Sequence, residues 1–278
     1  TPEGARDYVV PSRVNMGKFY ALPQSPQLYK QILMVSGVDK YFQFARCLRD
    51  EDLRSDRQPE HTQIDMEMSF VEREDVFVVV EGLMKAMWKD VLGIDIKTPF
   101  PKISWHDAMN KYGSDKPDLR FGLEFVDVTE LMKKSDFNVY KEVINAGGVV
   151  KCLRVKGAAE TYSRKQIDKL IDLAKNHHAK GLSWMKLKDG KLESNIVKYF
   201  DDKLQSQLIK DVDAKNDDLL LFVADKFEVA CNSLGQVRLE VARKMDLIKE
   251  DWKFSWIIDF PLFEYNQEEQ KWDTMHHM

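Results

Sequence analysis

Cysteine is scarce in this chain: Cys47, Cys152 and Cys231 stand alone in 278 residues. Their spacing offers neither the paired thiols of a zinc site nor the even framework of a disulfide-stapled domain, so a reducing, cytosol-like compartment is expected. No apolar run approaches the roughly 20 residues that a membrane-spanning helix needs. The opening Thr-Pro-Glu-Gly lacks a basic start followed by an apolar stretch, so no secretory leader is expected. There is no glycine-rich phosphate loop closed by lysine and serine or threonine, no nucleophile elbow, and no pair of histidines at metal-binding spacing on a helix. Charge of neither sign dominates. A net charge of −4 argues against a wholly basic nucleic-acid coat, although it leaves room for a local basic patch. Internal repeats and low-complexity segments are also missing.

With 44% hydrophobic and 32% charged residues, the chain can bury an ample core as one large domain or two ordinary ones. It does not begin with methionine and stops within a polar cluster, so a fragment of a longer protein is expected. Residues 1–120 form a first block. Ser25-Pro26 is a helix start, with a capping hydroxyl and proline at the first helical position. Leu28, Tyr29, Ile32 and Leu33 supply an apolar helical face, while Gln27 and Lys30 share another. A second helix is expected from Asp75 to Leu92, with Val76, Val79, Val80, Leu83, Met87 and Val91 at core spacing. Trp105–Tyr112 is a short helix leading into the turn-rich Gly113–Asp118. Residues 121–250 alternate strands (149–155, 181–187, 218–224) with helices (163–176, 199–212, 228–245), the pattern of a self-contained α/β or α+β module. Residues 251–278 return to strand character, with Trp256–Phe263 as a buried strand. The expected fold class is α+β: a mainly antiparallel sheet flanked by helices and interrupted by an inserted α/β module.

The segment richest in chemistry runs from Phe44 to Asp65. Arg49 and Glu51, two apart on a first strand, are expected on one face. A charged loop, Asp52–Glu60, follows. On the second strand His61, Gln63, Asp65, Glu67 and Ser69 alternate with Thr62, Ile64, Met66, Met68 and Phe70, predicting a polar floor on one side and a buried apolar face on the other. An arginine beside an acid on such a floor suits a ligand carrying both phosphate and a metal ion. ATP chemistry could run from it with magnesium held by a carboxylate, because phosphoryl and nucleotidyl transfer ask the protein mainly for positioning and charge compensation.

These residues, in this order, resemble the bacterial-type aspartyl-tRNA synthetases, a family of class II aminoacyl-tRNA synthetases. Thr1–Tyr8 is similar to the family's flipping loop and Leu22–Lys30 to its amino-acid-binding segment. The hairpin resembles motif 2, His276-His277 the start of a histidine-containing substrate loop, and the middle block the GAD insertion domain. The resemblance implies activation of aspartate by ATP, then transfer of the aspartyl group to the 3′ end of tRNA. It also implies Mg2+, a cytoplasmic homodimer without membrane contact, and a fragment lacking motifs 1 and 3 and the anticodon-binding domain, poorly active by itself. Under it Arg49 bridges α-carboxylate and α-phosphate, Glu51 contacts the ATP side near adenine or a metal ion, and Gln58 also lies on ATP. Lys30 takes the side-chain carboxylate of aspartate. Glu3, Gln27 and Asp65 serve the ammonium group, with Ser25, His276 and His277 completing the pocket. Arg54 and Arg57 meet the tRNA acceptor end. Position 61 departs from the family's usual phenylalanine: His61 can stack on adenine with less area.

Taken singly, each signal has a plainer reading. Arg49 with Glu51 is a surface ion pair, Lys30 a solvated helix lysine, Glu3 terminal surface, and His276-His277 a polar loop. Co-occurrence in order favours the sharper one. The rivals are an asparaginyl-tRNA synthetase or aspartate–ammonia ligase on the same fold, both without the inserted block, and a catalytically silent RNA-binding paralogue.

Overall fold

The computed structural model describes residues 6–51, 58–266 and 269–275. They fall into two compact units, Thr1–Thr98 and Pro99–Met278.

The first unit is built from short-range pairings. β1 (Val9–Pro11) and β2 (Phe19–Ala21) form one antiparallel pair. β3 (Lys40–Leu48) and β4 (Glu60–Met68) form another, with Lys40 opposite Met68 and Leu48 opposite Glu60. Helix α1 (Gln27–Val35) precedes the hairpin and α2 (Arg73–Leu92) follows it. α1 starts one residue later than expected: Pro26 sits just outside it, and the Ser25 hydroxyl accepts from the Gln27 N–H at 3.4 Å. α2 opens with a capping box, the Glu72 N–H donating to Asp75 at 2.9 Å, and closes on Gly93 at φ 70°.

Two expected core faces are exposed in this unit. On α1, Leu28 is 67% and Tyr29 73% exposed. On α2, Val76, Val79, Met87 and Val91 are exposed, and Glu81 is the buried residue. Helical spacing located both stripes correctly, but no described residue of this unit covers them. Ala45, Cys47 and Ile96 are its buried hydrophobics among the described residues.

The second unit carries the core. β5 (Lys102–Ser104) runs parallel to β11 (Trp256–Ile258), so the chain leaves and re-enters on neighbouring strands. Between them lie α3 (Trp105–Tyr112) and β6 (Phe125–Asp127), then α4 (Thr129–Met132), α5 (Asn138–Asn145) and β7 (Val149–Val155). α6 (Arg164–Asn176), β8 (Ser183–Lys188), β9 (Lys191–Glu193), α7 (Asp202–Asp211), β10 (Leu219–Asp225) and α8 (Phe227–Lys244) complete the series. The sheet order is β6-β7-β10-β8-β9, antiparallel at every pairing. Of the two alternatives expected for the module, α/β or α+β, the antiparallel sheet with helices on both faces is the second.

Its central strand explains this. Every residue of β10 is buried. Leu220, Phe222 and Ala224 enter one cluster with α4, α5 and α7, while Leu219, Leu221 and Val223 enter another with α6 and α8. A continuous apolar run on a period of two requires cover on both sides. α3 and α8 cross at two glycines. A Cβ on Gly113, at φ 72°, would lie 2.1 Å from the Cys231 carbonyl oxygen, and one on Gly235 would lie 2.7 Å from the Gly113 oxygen. The strand expected over Trp256–Phe263 ends at Ile258: Asp259 takes φ 57°, Pro261 lacks an N–H, and β12 (Phe263–Asn266) pairs instead with β13 (Lys271–Thr274).

Candidate active site

β3 ends at Leu48, so Arg49 and Glu51 do not lie on it as expected. The Arg49 N–H donates to the Pro59 carbonyl at 2.8 Å, but Pro59 has no N–H to return and the ladder with β4 stops. The chain then changes partner, Asp50 exchanging backbone hydrogen bonds with Arg6 at 2.9 and 3.0 Å. Arg49 and Glu51 flank this switch.

The two faces of the hairpin are also covered in the opposite sense to the expectation. Asp65 is buried, and His61, Gln63 and Glu67 are half-buried on the same face. On the apolar face Phe42 is 69% and Phe44 70% exposed, and Ile64 is exposed as well. The cause is α1: it lies on the polar face and delivers Lys30 there.

Lys30 Nζ reaches Asp65 Oδ1 at 2.9 Å and Glu67 at 3.3 Å, with its side chain only 13% exposed. Gln63 Nε2 also donates to Asp65 Oδ1, at 3.2 Å. Burial pulls the pKa of Lys30 down, but the hydrogen bonds and charges of Asp65 and Glu67 outweigh it, and the ammonium is held above its ordinary value. One cation faces two carboxylates in a partly desolvated corner. Such a cluster suits a zwitterionic ligand, which brings an ammonium for the acids and a carboxylate for the cation.

The Arg49 Nε donates to the Gln24 carbonyl at 3.3 Å, and Leu48 N donates to the Pro23 carbonyl at 2.8 Å, tying the segment before α1 to the end of β3. The first of these bonds holds the guanidinium against the segment before α1. Gln58 and His61 line a hollow of about 480 Å3 with Arg46, Pro59, Glu60 and Thr62. Ser25 and Gln27 are exposed at the start of α1, in the segment that also supplies Lys30. Cys47, opposite His61, is fully buried and its thiol pKa is pushed up by burial, which does not favour thiolate chemistry. Glu3, Arg54, Arg57, His276 and His277 lie outside the described residues.

Sequence reasoning did not single out Tyr41 or Glu67 as site residues. Tyr41 stands opposite Glu67 and Gln43 opposite Asp65, so strand register puts all four on the face that carries Lys30's partners. Nor did it find two buried cations of the second unit. Lys151, fully buried, donates to Asn110 and, at 2.7 Å, to Asp127. Arg238 donates to the carbonyls of Asp118, Phe121, Gly122 and Leu123, and burial brings its pKa down to about 10. Both bind this unit's own backbone or side chains and are structural.

Among the described residues no three of histidine, cysteine, aspartate or glutamate converge to hold a metal ion, and no helix is long and apolar enough to cross a membrane.

Comparison of the sequence with known proteins places the chain in a family. The chain is 55% identical over 277 residues to an aspartate–tRNA(Asp/Asn) ligase of Thermodesulfovibrio yellowstonii, covering 100% of this chain and 46% of that protein. It is 51% identical over 279 residues to an aspartate–tRNA ligase of Ruminiclostridium cellulolyticum and 54% identical over 278 residues to one of Bacillus licheniformis, covering all of this chain and 47% of each. The chain thus spans about half the length of the curated relatives it matches. The profile of the class II tRNA synthetases (D, K and N) covers residues 1–278, and the chain belongs to that family.

Proposed function

We propose that the protein carrying this chain is an aspartate–tRNA ligase. The observation that carries the reading is the part-buried Lys30–Asp65 pair on the hairpin face, in a chain 50–55% identical to curated aspartate–tRNA ligases over its whole length. In the first step an α-carboxylate oxygen of aspartate attacks the α-phosphorus of ATP. The bond to the β-phosphate breaks, pyrophosphate leaves, and aspartyl-adenylate forms. In the second step a hydroxyl at the tRNA 3′ end attacks the acyl carbon and AMP leaves.

Arg49, aimed by the Gln24 carbonyl, bridges the α-carboxylate and α-phosphate and offsets charge as the pentavalent centre develops. Lys30 meets the side-chain carboxylate of aspartate, and Asp65 receives the ammonium. Glu3, Ser25, Gln27, His276 and His277 complete the amino-acid pocket. Gln58 and His61 receive ATP in the hollow they line, His61 by stacking on adenine. Arg54 and Arg57 approach the acceptor end of tRNA, where phosphate contacts give position. Glu51 is the carboxylate that would hold Mg2+, a cation usually bound by one or two carboxylates together with substrate phosphates. When bound, Mg2+ would neutralise phosphate charge.

Residues 121–250 act as a GAD-type insertion within a catalytic core made of 1–120 and 251–278. The parallel pairing of β5 with β11 on either side of the module supports this division. The full-length enzyme is a cytoplasmic homodimer. Aspartate-dependent ATP–pyrophosphate exchange by the complete polypeptide, with asparagine as control, tests the activity; no exchange with aspartate refutes it.

A further inference from the structure

Asp65 has an accounting imbalance between its two oxygens. Oδ1 takes two donors, Lys30 Nζ at 2.9 Å and Gln63 Nε2 at 3.2 Å. Oδ2 is buried and has no hydrogen-bond partner, although the Asp65 side chain is only 8% exposed. The Tyr41 hydroxyl on the same face is likewise buried and unpartnered. Two orphan polar atoms of complementary type, a hydroxyl and a carboxylate oxygen, therefore share one face, close enough for the Asp65 carboxylate to act on the Tyr41 hydroxyl. Register explains why: Tyr41 stands opposite Glu67 and so lies diagonal to Asp65, within reach of an aromatic side chain. Burial first, and the Asp65 charge after it, raises the pKa of the Tyr41 hydroxyl, which keeps its proton available for donation.

We propose that Tyr41 is a positioning residue for amino-acid binding: its hydroxyl donates to Asp65 Oδ2 and fixes the carboxylate that receives the substrate's α-ammonium. A carboxylate offers about four lone-pair sites. Lys30 and Gln63 fill those of Oδ1 and Tyr41 takes one of Oδ2, so both oxygens of Asp65 are held. The tyrosine thus fixes the orientation of Asp65 against Lys30. That leaves Lys30 facing the carboxylate end of the same ligand. This inference rests on the aspartate-activating role proposed above.

The test is Tyr41→Phe in the complete polypeptide, which deletes one oxygen and keeps the ring. In pyrophosphate exchange the KM for aspartate should rise roughly ten- to a hundredfold, the loss expected for one hydrogen bond to a charged group. The KM for ATP should not change, and a residue needed only for packing would not give that split between aspartate and ATP. An unchanged aspartate KM, or equal losses for aspartate and ATP, would overturn the proposal while leaving the parent reading intact. Absence of exchange in the unsubstituted protein would overturn the parent reading and this proposal together.

Discussion

Single charged groups in this protein are placed by what neutralises them. Lys30 sits between Asp65 and Glu67, and its substitution separates selectivity from turnover. Lys30→Met should lower the preference for aspartate over asparagine by about tenfold or more, since an ion pair made to only one of the two ligands is lost; an unchanged ratio of exchange rates would move selectivity elsewhere. Arg49→Ala should abolish exchange, and near-normal turnover would refute its role. The raised pKa of Lys30 also has a sign: its contribution to stability is complete below the unfolded value near 10.5 and is lost only as pH rises through the higher folded value. Neutral buffers should therefore leave the cluster intact. The second unit offers an asymmetric case. Asp127→Ala leaves the Lys151 ammonium buried without its counter-ion and should cost roughly 2–3 kcal/mol in urea unfolding, more than Lys151→Met, which removes the buried charge itself. The reverse order would contradict this account of Lys151. Lys30 and Asp65 could each be nominated from sequence, but their pairing could not, because 35 residues separate them and only the packing of α1 brings them together. Tyr41 was hidden by its type, since a tyrosine in a strand is ordinarily read as packing.

Among the elements, α8 and β10 depend most on close approach and two-sided cover. Gly113→Ala would set a methyl against the Cys231 carbonyl at a left-handed φ, and Gly235→Ala would press on the Gly113 carbonyl. Each should destabilise by roughly 3 kcal/mol or more, measured as a shift in the unfolding midpoint; wild-type stability would contradict the crossing. Most expected strands and helices of the second unit were legible because their patterns are strong: Trp105–Tyr112 and Val149–Val155 appear as expected, and those between 163 and 245 shift by one to three residues at an end, whereas Trp256–Phe263 stops at Ile258. The faces of β3, β4 and α2 were not legible. Alternation says which residues share a face, but not which face the surrounding structure covers, and here α1 covers the polar one. The end of β3 was missed for a local reason, the absent N–H of Pro59, which passes the chain to Arg6.

At the scale of the whole molecule, the buried hydrophobic residues among those described are concentrated in the second unit. Its two clusters lie on opposite faces of one sheet, and Arg238 ties α8 to the carbonyls of residues 118–123. Residues 118–247 expressed alone should unfold cooperatively, with the amides of β7 and β10 slowest to exchange; gradual melting would contradict an autonomous core. The curated relatives differ in name, some acting on tRNA(Asp) and others on tRNA(Asp/Asn), at similar identity to this chain. The complete polypeptide is therefore best tested on both tRNAs at once. The decisive measurement is ATP-dependent attachment of labelled aspartate to purified tRNA(Asp) and tRNA(Asn) transcripts, with periodate-oxidised tRNA as control. Acid-precipitable label on intact tRNA(Asp), lost on oxidation of its 3′ end, is the predicted result. No aspartyl transfer to either intact tRNA would contradict the account.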